Sequence, residues 1–441
     1  MIGHVVALKR KRFFSFVSME INQAIVELSL IRCFRSRMPA CFILLSVFVV
    51  GATNAEAPQE KGSSQRSVLR GKPVGGKVVD RENLLGKVMC GYQGWFNCEG
   101  DGQGLGWTHW SRNRREMMGP GNATVDLWPD VSELPAASRF ATGFRDVEGR
   151  VAEVFSSASP DVVAMHFRWM REYGIDGVFL QRFANGLDQG RLQKHKDVVL
   201  NLVRQESVAN GRVFALMYDL SGLRRGEVQR ILDDWKRIRK EKRIDDGSSY
   251  LQHRGKPLVA IWGIGFNDGR RYTLEECDAV VDGFKKEGCS VMLGVPSWWR
   301  EGKRDATDDP RLLELIRKAD VVSPWTVGRY QNPEQAISHA KLVWQPDRLW
   351  CDRHHIDFLP VAFPGFSWHQ LKGAELNAIP RLGGDFFWSQ VYGASQTGCA
   401  MLYVAMFDEV DEGTAVFKFD SNPPISETEK FLTLEESAGD H

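Results

Sequence analysis

SPDVVAMHFRWMREYGIDGVFLQRF, residues 159–183, reads as a helix followed at once by a strand. Ser159 is a helix-capping residue type, and Pro160 suits a first helical turn, where its missing N–H removes no bond. Val162, Val163, Met165, His166, Trp169 and Met170 then recur at helical spacing, and Gly174 stands where a left-handed C-cap is needed. After it, 175–183 is a short, nearly unbroken apolar run, the pattern of a strand covered on both faces, as in a parallel sheet.

The unit repeats along the chain. Similar runs occupy 87–96, 212–220, 257–265, 290–296, 320–327, 358–363 and 400–407. Amphipathic stretches at 190–209, 224–242, 273–287, 309–318, 332–344 and 384–397 separate most of them. Eight strands alternating with helices specify an α/β fold, a (β/α)8 TIM barrel over 86–420, with one long loop, 97–159, after the first strand. The rival, a doubly wound open sheet, would normally carry a glycine-rich phosphate loop; neither G-x-G-x-x-G nor a P-loop lysine pattern occurs.

Composition bounds the function. The 441 residues hold 57 Lys and Arg against 56 Asp and Glu, a net charge of +1 that argues against a nucleic-acid partner. Apolar residues at 43% and charged residues at 26% are globular values. Residues 41–50 form a short apolar run, preceded by Arg32, Arg35 and Arg37 and followed by small residues up to Ala55. This is the layout of a secretory signal peptide, with cleavage after Ala55 or Ala57, so 1–57 reads as a leader and the protein as secreted or periplasmic. No membrane role is expected once the leader is removed, and the chain reads as a monomer. Residues 58–85 read as a flexible linker and 421–441 as a polar, frayed tail. Six cysteines lie beyond the leader without a C-x-x-C pair, which predicts neither zinc nor a particular disulfide.

In such barrels chemistry sits at the C-terminal ends of the strands. Those ends present Tyr92, Gln93 and Trp95; Gln181 and Arg182; Asp219; Trp262; Trp298; Trp325; and Trp368. Trp110 and His109 lie in the long loop. Flat aromatic faces interleaved with amides and carboxylates suit sugar rings, whose C–H faces stack while their hydroxyls seek polar partners. A carbohydrate is therefore the expected partner, and these are its candidate binding residues. The other reading is that individual tryptophans merely cap the barrel core.

The eighth strand runs into Phe407-Asp-Glu-Val-Asp-Glu-Gly-Thr414, four carboxylates in five residues. Packed against a buried strand, they would raise one another's pKa values. Unequal carboxylates side by side are what glycoside hydrolysis uses. Residues three apart on an extended strand lie about 10 Å apart on opposite faces. Glu409 and Glu412 therefore converge only if the chain turns after Glu409. Asp408 and Asp411 are candidate binding residues beside them; a calcium loop fed by those two is the alternative.

This segment resembles the catalytic segment of glycoside hydrolase family 99, the endo-α-mannosidases, whose pattern is Asn-Glu-Trp-His-Glu-Gly-Thr. Glu409, Glu412, Gly413 and Thr414 match; Asp408, Val410 and Asp411 depart. Trp107-Thr-His-Trp110 resembles that family's Trp-x-His-Trp stretch. Over 86–420 the chain is most similar to the bacterial branch described as family 71/99-like, often labelled xylosidase/arabinosidase. The resemblance implies a retaining glycosidase without metal or other cofactor. It implies that Glu409 deprotonates the sugar 2-hydroxyl to give an anhydro-sugar intermediate, and that Glu412 serves as general acid and then general base. Three rivals stand beside it: a catalytically silent carbohydrate-binding barrel, a polysaccharide lyase, and a calcium-dependent structural barrel. A metal at Asp352, His354, His355 and Asp357 is disfavoured, since adjacent histidines in an extended segment point to opposite faces.

Overall fold

The computed structural model describes residues 77–188 and 190–438. The expected leader, and the linker as far as residue 76, lie outside the described residues. The rest of that linker packs against the barrel: Leu84 is fully buried, and Val79 N–H and Arg81 Nη1 donate to the Gly211 and Gly247 carbonyls at 2.9 Å each. The packed body thus begins before residue 86.

The barrel strands are β1 (Val88–Tyr92), β4 (Gly177–Phe183), β5 (Val213–Asp219), β7 (Lys256–Trp262), β8 (Ser290–Pro296), β9 (Val321–Trp325), β10 (Asp357–Phe358) with β11 (Val361–Ala362), and β12 (Leu402–Val404). The insert after β1 adds an antiparallel hairpin of β2 (Phe140–Arg145) and β3 (Val151–Val154), and β6 (Gln252–His253) pairs with β7. The parallel order is β10-β9-β8-β7-β5-β4-β1-β12-β11. Only Leu359 and Pro360 separate β10 from β11, so the two ends of this order are one stretch of chain and the sheet closes. Leu359 N–H reaches the Val322 carbonyl and the Pro360 carbonyl accepts from Tyr403 N–H, at 2.9 and 3.0 Å. Pro360 has no N–H to give, so the ladder of the seventh strand is interrupted there and the strand runs in two pieces.

The helices follow the strands: α1 (Pro160–Tyr173), α2 (Gly190–Asn210), α3 (Arg230–Lys242), α4 (Leu274–Lys286), α5 (Arg311–Ile316), α6 (Pro333–His339), α7 (Gln345–Arg353), α8 (His369–Lys372), α9 (Asp385–Gln396) and α10 (Leu434–Ser437). Gly174 closes α1 at φ 79°, its N–H on the Met170 carbonyl. A π turn, Ala340–Trp344, carries α6 into α7 beyond the predicted end. Strand side chains sort by alternation into two cores. Met89, Phe179, Ala215, Met217, Ala260, Met292 and Tyr403 fill the barrel. Cys90, Val178, Leu180, Leu216 and Ile261 face the helices.

The expectation of a frayed tail is corrected over its described part. Ile425 N–H donates to Arg145 and Leu432 N–H to Asp126, at 3.0 and 2.8 Å. Phe431 packs edge-on against Trp128 and Phe144, ring centres 5.1 Å apart in each case. Two apolar residues in a polar stretch suffice to seat it. Among the described residues no helix is long and apolar enough to cross a membrane.

Candidate active site

The carboxylate segment leaves the barrel directly after β12. Asp408 is fully buried and accepts the backbone N–H groups of Gln93 and Gly94, at 2.7 and 2.9 Å. Gly94 sits at φ +59°, and a Cβ there would meet Val199 at 2.6 Å, so glycine is required. Burial pushes Asp408 up to about 7 against the pull of those N–H groups. Both oxygens serve to tie the end of strand one to the end of strand eight. Asp408 is thus a framework residue and not the sugar ligand predicted.

Glu409 is clamped by Gln93 Nε2 on one oxygen (2.5 Å) and Thr414 Oγ1 on the other (3.0 Å). The chain then makes a single 3-10 turn, Val410–Glu412, and leaves through Gly413 at φ +68°. Residues three apart on a 3-10 turn lie one above the other, so this is the bend that Glu409 and Glu412 need. Val410 anchors the turn in the outer core. Glu412 keeps some exposed surface, and its carbonyl accepts Ser367 N–H at 3.0 Å. Burial, then the Glu412 and Asp411 charges, hold the Glu409 carboxyl well above the usual range. Burial and Asp411 push Glu412 up to about 8, while the Trp368 N–H and the Lys372 ammonium pull the other way.

Asp411 is buried, with Oδ2 on His109 Nδ1 at 2.8 Å and Oδ1 without a hydrogen-bond partner among the described residues. His109, at φ +64°, lies flat on Trp95, ring centres 3.9 Å apart and planes 4° off parallel. The long loop therefore delivers its histidine to the acidic turn. Asp219, capped by Ser221 N–H at 2.6 Å and pushed up to about 6 by burial, lies close enough to raise Glu412 further. Trp262 and Trp325 meet edge to face at 5.4 Å, Trp325 leans on Tyr403 at 6.2 Å, and the Tyr403 hydroxyl accepts from Gln181 Nε2 at 3.2 Å. Gln93, Trp95, His109, Gln181, Asp219, Trp262, Trp325, Trp368, Asp411 and the two glutamates thus form one linked set at the barrel mouth. Buried acceptors Gln93 Oε1, Gln181 Oε1 and Asp411 Oδ1, and the indole N–H groups of Trp95 and Trp262, have no hydrogen-bond partner among the described residues. Sugar hydroxyls both donate and accept, so they can satisfy both kinds.

Four predicted binding residues lie elsewhere. Tyr92 faces α1, its hydroxyl 2.9 Å from His166 Nδ1. Arg182 is fully buried behind the barrel wall on Asp234 (2.8 Å) and Asp197 (3.1 Å). Trp110 is core, its N–H on the Phe155 carbonyl at 2.8 Å. Trp298 lies under Arg304 (4.3 Å) and edge-on to His339. Tyr92 and Arg182 occupy the outward phase of their strands, with Gln93 and Gln181 on the inward one. Arg182→Ala leaves Asp234 buried with Arg237 and Tyr218 as its remaining partners. We expect a loss of about 3 kcal/mol in urea unfolding at unchanged m; a loss below about 1 kcal/mol would mean that Arg237 carries the pair alone.

Sequence reasoning missed Thr414 as the Glu409 clamp, Tyr403, and Arg270, which lies over Trp262 at 5.2 Å. Only Tyr403 left a signal, its odd position in strand eight, readable once the inward phase is known. The candidate metal ligands part company: Asp352 pairs with Arg348, His354 lies tilted against Trp350, and Asp357 pairs with His253 and Arg254. Among the described residues no group of three or more His, Cys, Asp or Glu could hold a metal ion.

No protein-family model matches the chain, and no curated protein does. Among solved structures it is similar to the GH99 endo-alpha-mannosidase from Bacteroides thetaiotaomicron, at 14% identity and a TM-score of 0.57, over 81% of this chain and 95% of that one. The same enzyme in complex with bis-tris propane gives a TM-score of 0.55 at 14% identity, over 81% and 94% of the two chains. At this identity the likeness shows a shared barrel fold.

Proposed function

We propose that the protein is an exported, retaining glycoside hydrolase of the family 99 type, acting on an α-mannan-like or xylose- or arabinose-containing glycan. One observation carries the reading. Two glutamates share a single turn at the end of the eighth strand, burial and neighbouring carboxylates raise the protonation of each, and tryptophans and partnerless polar groups ring them. Glu412, the more exposed and held protonated near neutrality, is the general acid and later the base. Glu409, held by Gln93 and Thr414, is the group that draws the proton of the sugar 2-hydroxyl, and it does so from the fraction of molecules in which it is ionised while Glu412 keeps its proton. Asp411, held by His109, stands where the family has histidine, and Val410 where it has tryptophan, so these two positions are the ones expected to decide between mannose and a pentose.

A silent carbohydrate-binding barrel is the second reading, favoured by the engagement of both Glu409 oxygens. Sugar release from a panel of plant, algal and yeast polysaccharides separates the two. Turnover on at least one of them supports the enzyme; binding without reducing-end release across the panel would replace it with the binding barrel. Unsaturated products absorbing in the ultraviolet would indicate a lyase.

A further inference from the structure

Asp126 belongs to the long insert, is 1% exposed, and accepts three hydrogen bonds from one short segment far along the chain. Its Oδ2 takes Ser367 Oγ (2.6 Å) and His369 N–H (2.9 Å), and its Oδ1 takes Gln370 N–H (2.8 Å). That segment carries Trp368, whose indole N–H is directed at Glu412, and opens α8, which carries Lys372. Its Ser367 N–H holds the Glu412 carbonyl at 3.0 Å. Gly413 lies so close to it that an added Cβ would sit 2.7 Å from Ser367 N. Ser367 Oγ also accepts Asn377 N–H at 2.9 Å, closing the loop on itself.

We propose that Asp126 is a positioning residue for Glu412: by gathering Ser367, His369 and Gln370 on one buried carboxylate, it fixes the wall that encloses the acid. Asp126 touches no reacting atom and acts through that wall. The inference rests on the function proposed above, in which Glu412 is the acid. A carboxylate fits because all three partners are donors and it offers only acceptors. An amide at this position must turn its NH2 toward one of those donors, and the segment then moves. Its movement lets water reach Glu412, and since burial is the largest cause of the acid's raised protonation, that protonation falls.

The test is a carboxyl-carbon NMR titration of protein labelled in glutamate, with Glu412 assigned by its absence in Glu412→Gln. Wild type is expected to titrate near 8. Asp126→Asn is expected to lower that midpoint by at least about one pH unit. Ser367→Ala, which removes one donor and leaves the insert's core intact, should lower it by less and decides the matter if Asp126→Asn fails to fold. Unchanged midpoints in the folded variants would overturn the proposal. The titration needs no turnover, so an inactive wild type would count against the glycosidase reading alone. If turnover is found, Asp126→Asn should lower kcat and shift its alkaline limb to lower pH, with KM changed less than kcat.

Discussion

Turnover by Glu412→Gln is expected to fall by at least about a thousandfold on a natural glycan, whose leaving oxygen needs a proton. A glutamine keeps the shape and leaves the Ser367–Glu412 backbone bond in place, so the loss is chemical. A substrate with an aryl leaving group that departs unprotonated should lose far less in its first step, and that contrast separates acid catalysis from damage to binding. The pH profile gives a second handle. The acid works only when protonated, and burial with Asp411 pushes Glu412 up to about 8, so wild-type kcat should decline as pH rises through that value. The decline should vanish in Glu412→Gln. Steady-state kinetics on both substrates from pH 5 to 9 checks it, and a mutant that retains both rate and alkaline limb would place the acid on another residue.

How much of this was legible follows from which interactions are local. The eight strands could be read because burial on both faces writes an unbroken apolar run into each. The same fact hid the phase of those runs. With no polar alternation, nothing marked Tyr92 and Arg182 as facing the helices while Gln93 and Gln181 face inward, and both were misplaced. The acidic turn was legible as composition, and the need for a bend after Glu409 followed from strand geometry. Its clamps did not split by distance: Gln93, 316 residues from Glu409, was found because it ends the first strand, whereas Thr414, only five residues away, went unread because a threonine after a glycine carries no mark of its partner. Asp126 left no trace, since its partners are 241 to 244 positions distant and no local pattern distinguishes it from a surface aspartate. The tail escaped because Phe431 and Leu432 are too few to register against their polar neighbours. Long-range polar contacts on a barrel that is itself locally encoded are what sequence reading cannot supply.

Glu409→Gln should abolish turnover and yet raise the melting temperature at alkaline pH. In the folded protein the Glu409 carboxyl is held well above its ordinary 4.5, by burial first and by Glu412 and Asp411 next. Between 4.5 and that raised value the folded state keeps a proton that the unfolded chain has lost, so stability falls as pH rises across the window. Asp219, Glu412 and Asp408, raised to about 6, 8 and 7, act with the same sign. The wild type should therefore lose melting temperature steadily from pH 5 to pH 8. A glutamine has no proton to lose. Its carbonyl can accept from Gln93, and its NH2 can donate to Thr414, whose hydroxyl turns to accept, so no buried group is left unpaired. Removing one of four such burdens should raise the melting temperature at pH 8 by a few degrees, with little change at pH 5. Scanning calorimetry at the two pH values decides it. A fall at both would mean that Glu409 holds the turn together as a carboxylate. A rise confined to pH 8 would show instead that the fold bears a strained, proton-hungry turn for the sake of its chemistry, the trade between stability and activity expected at an active site.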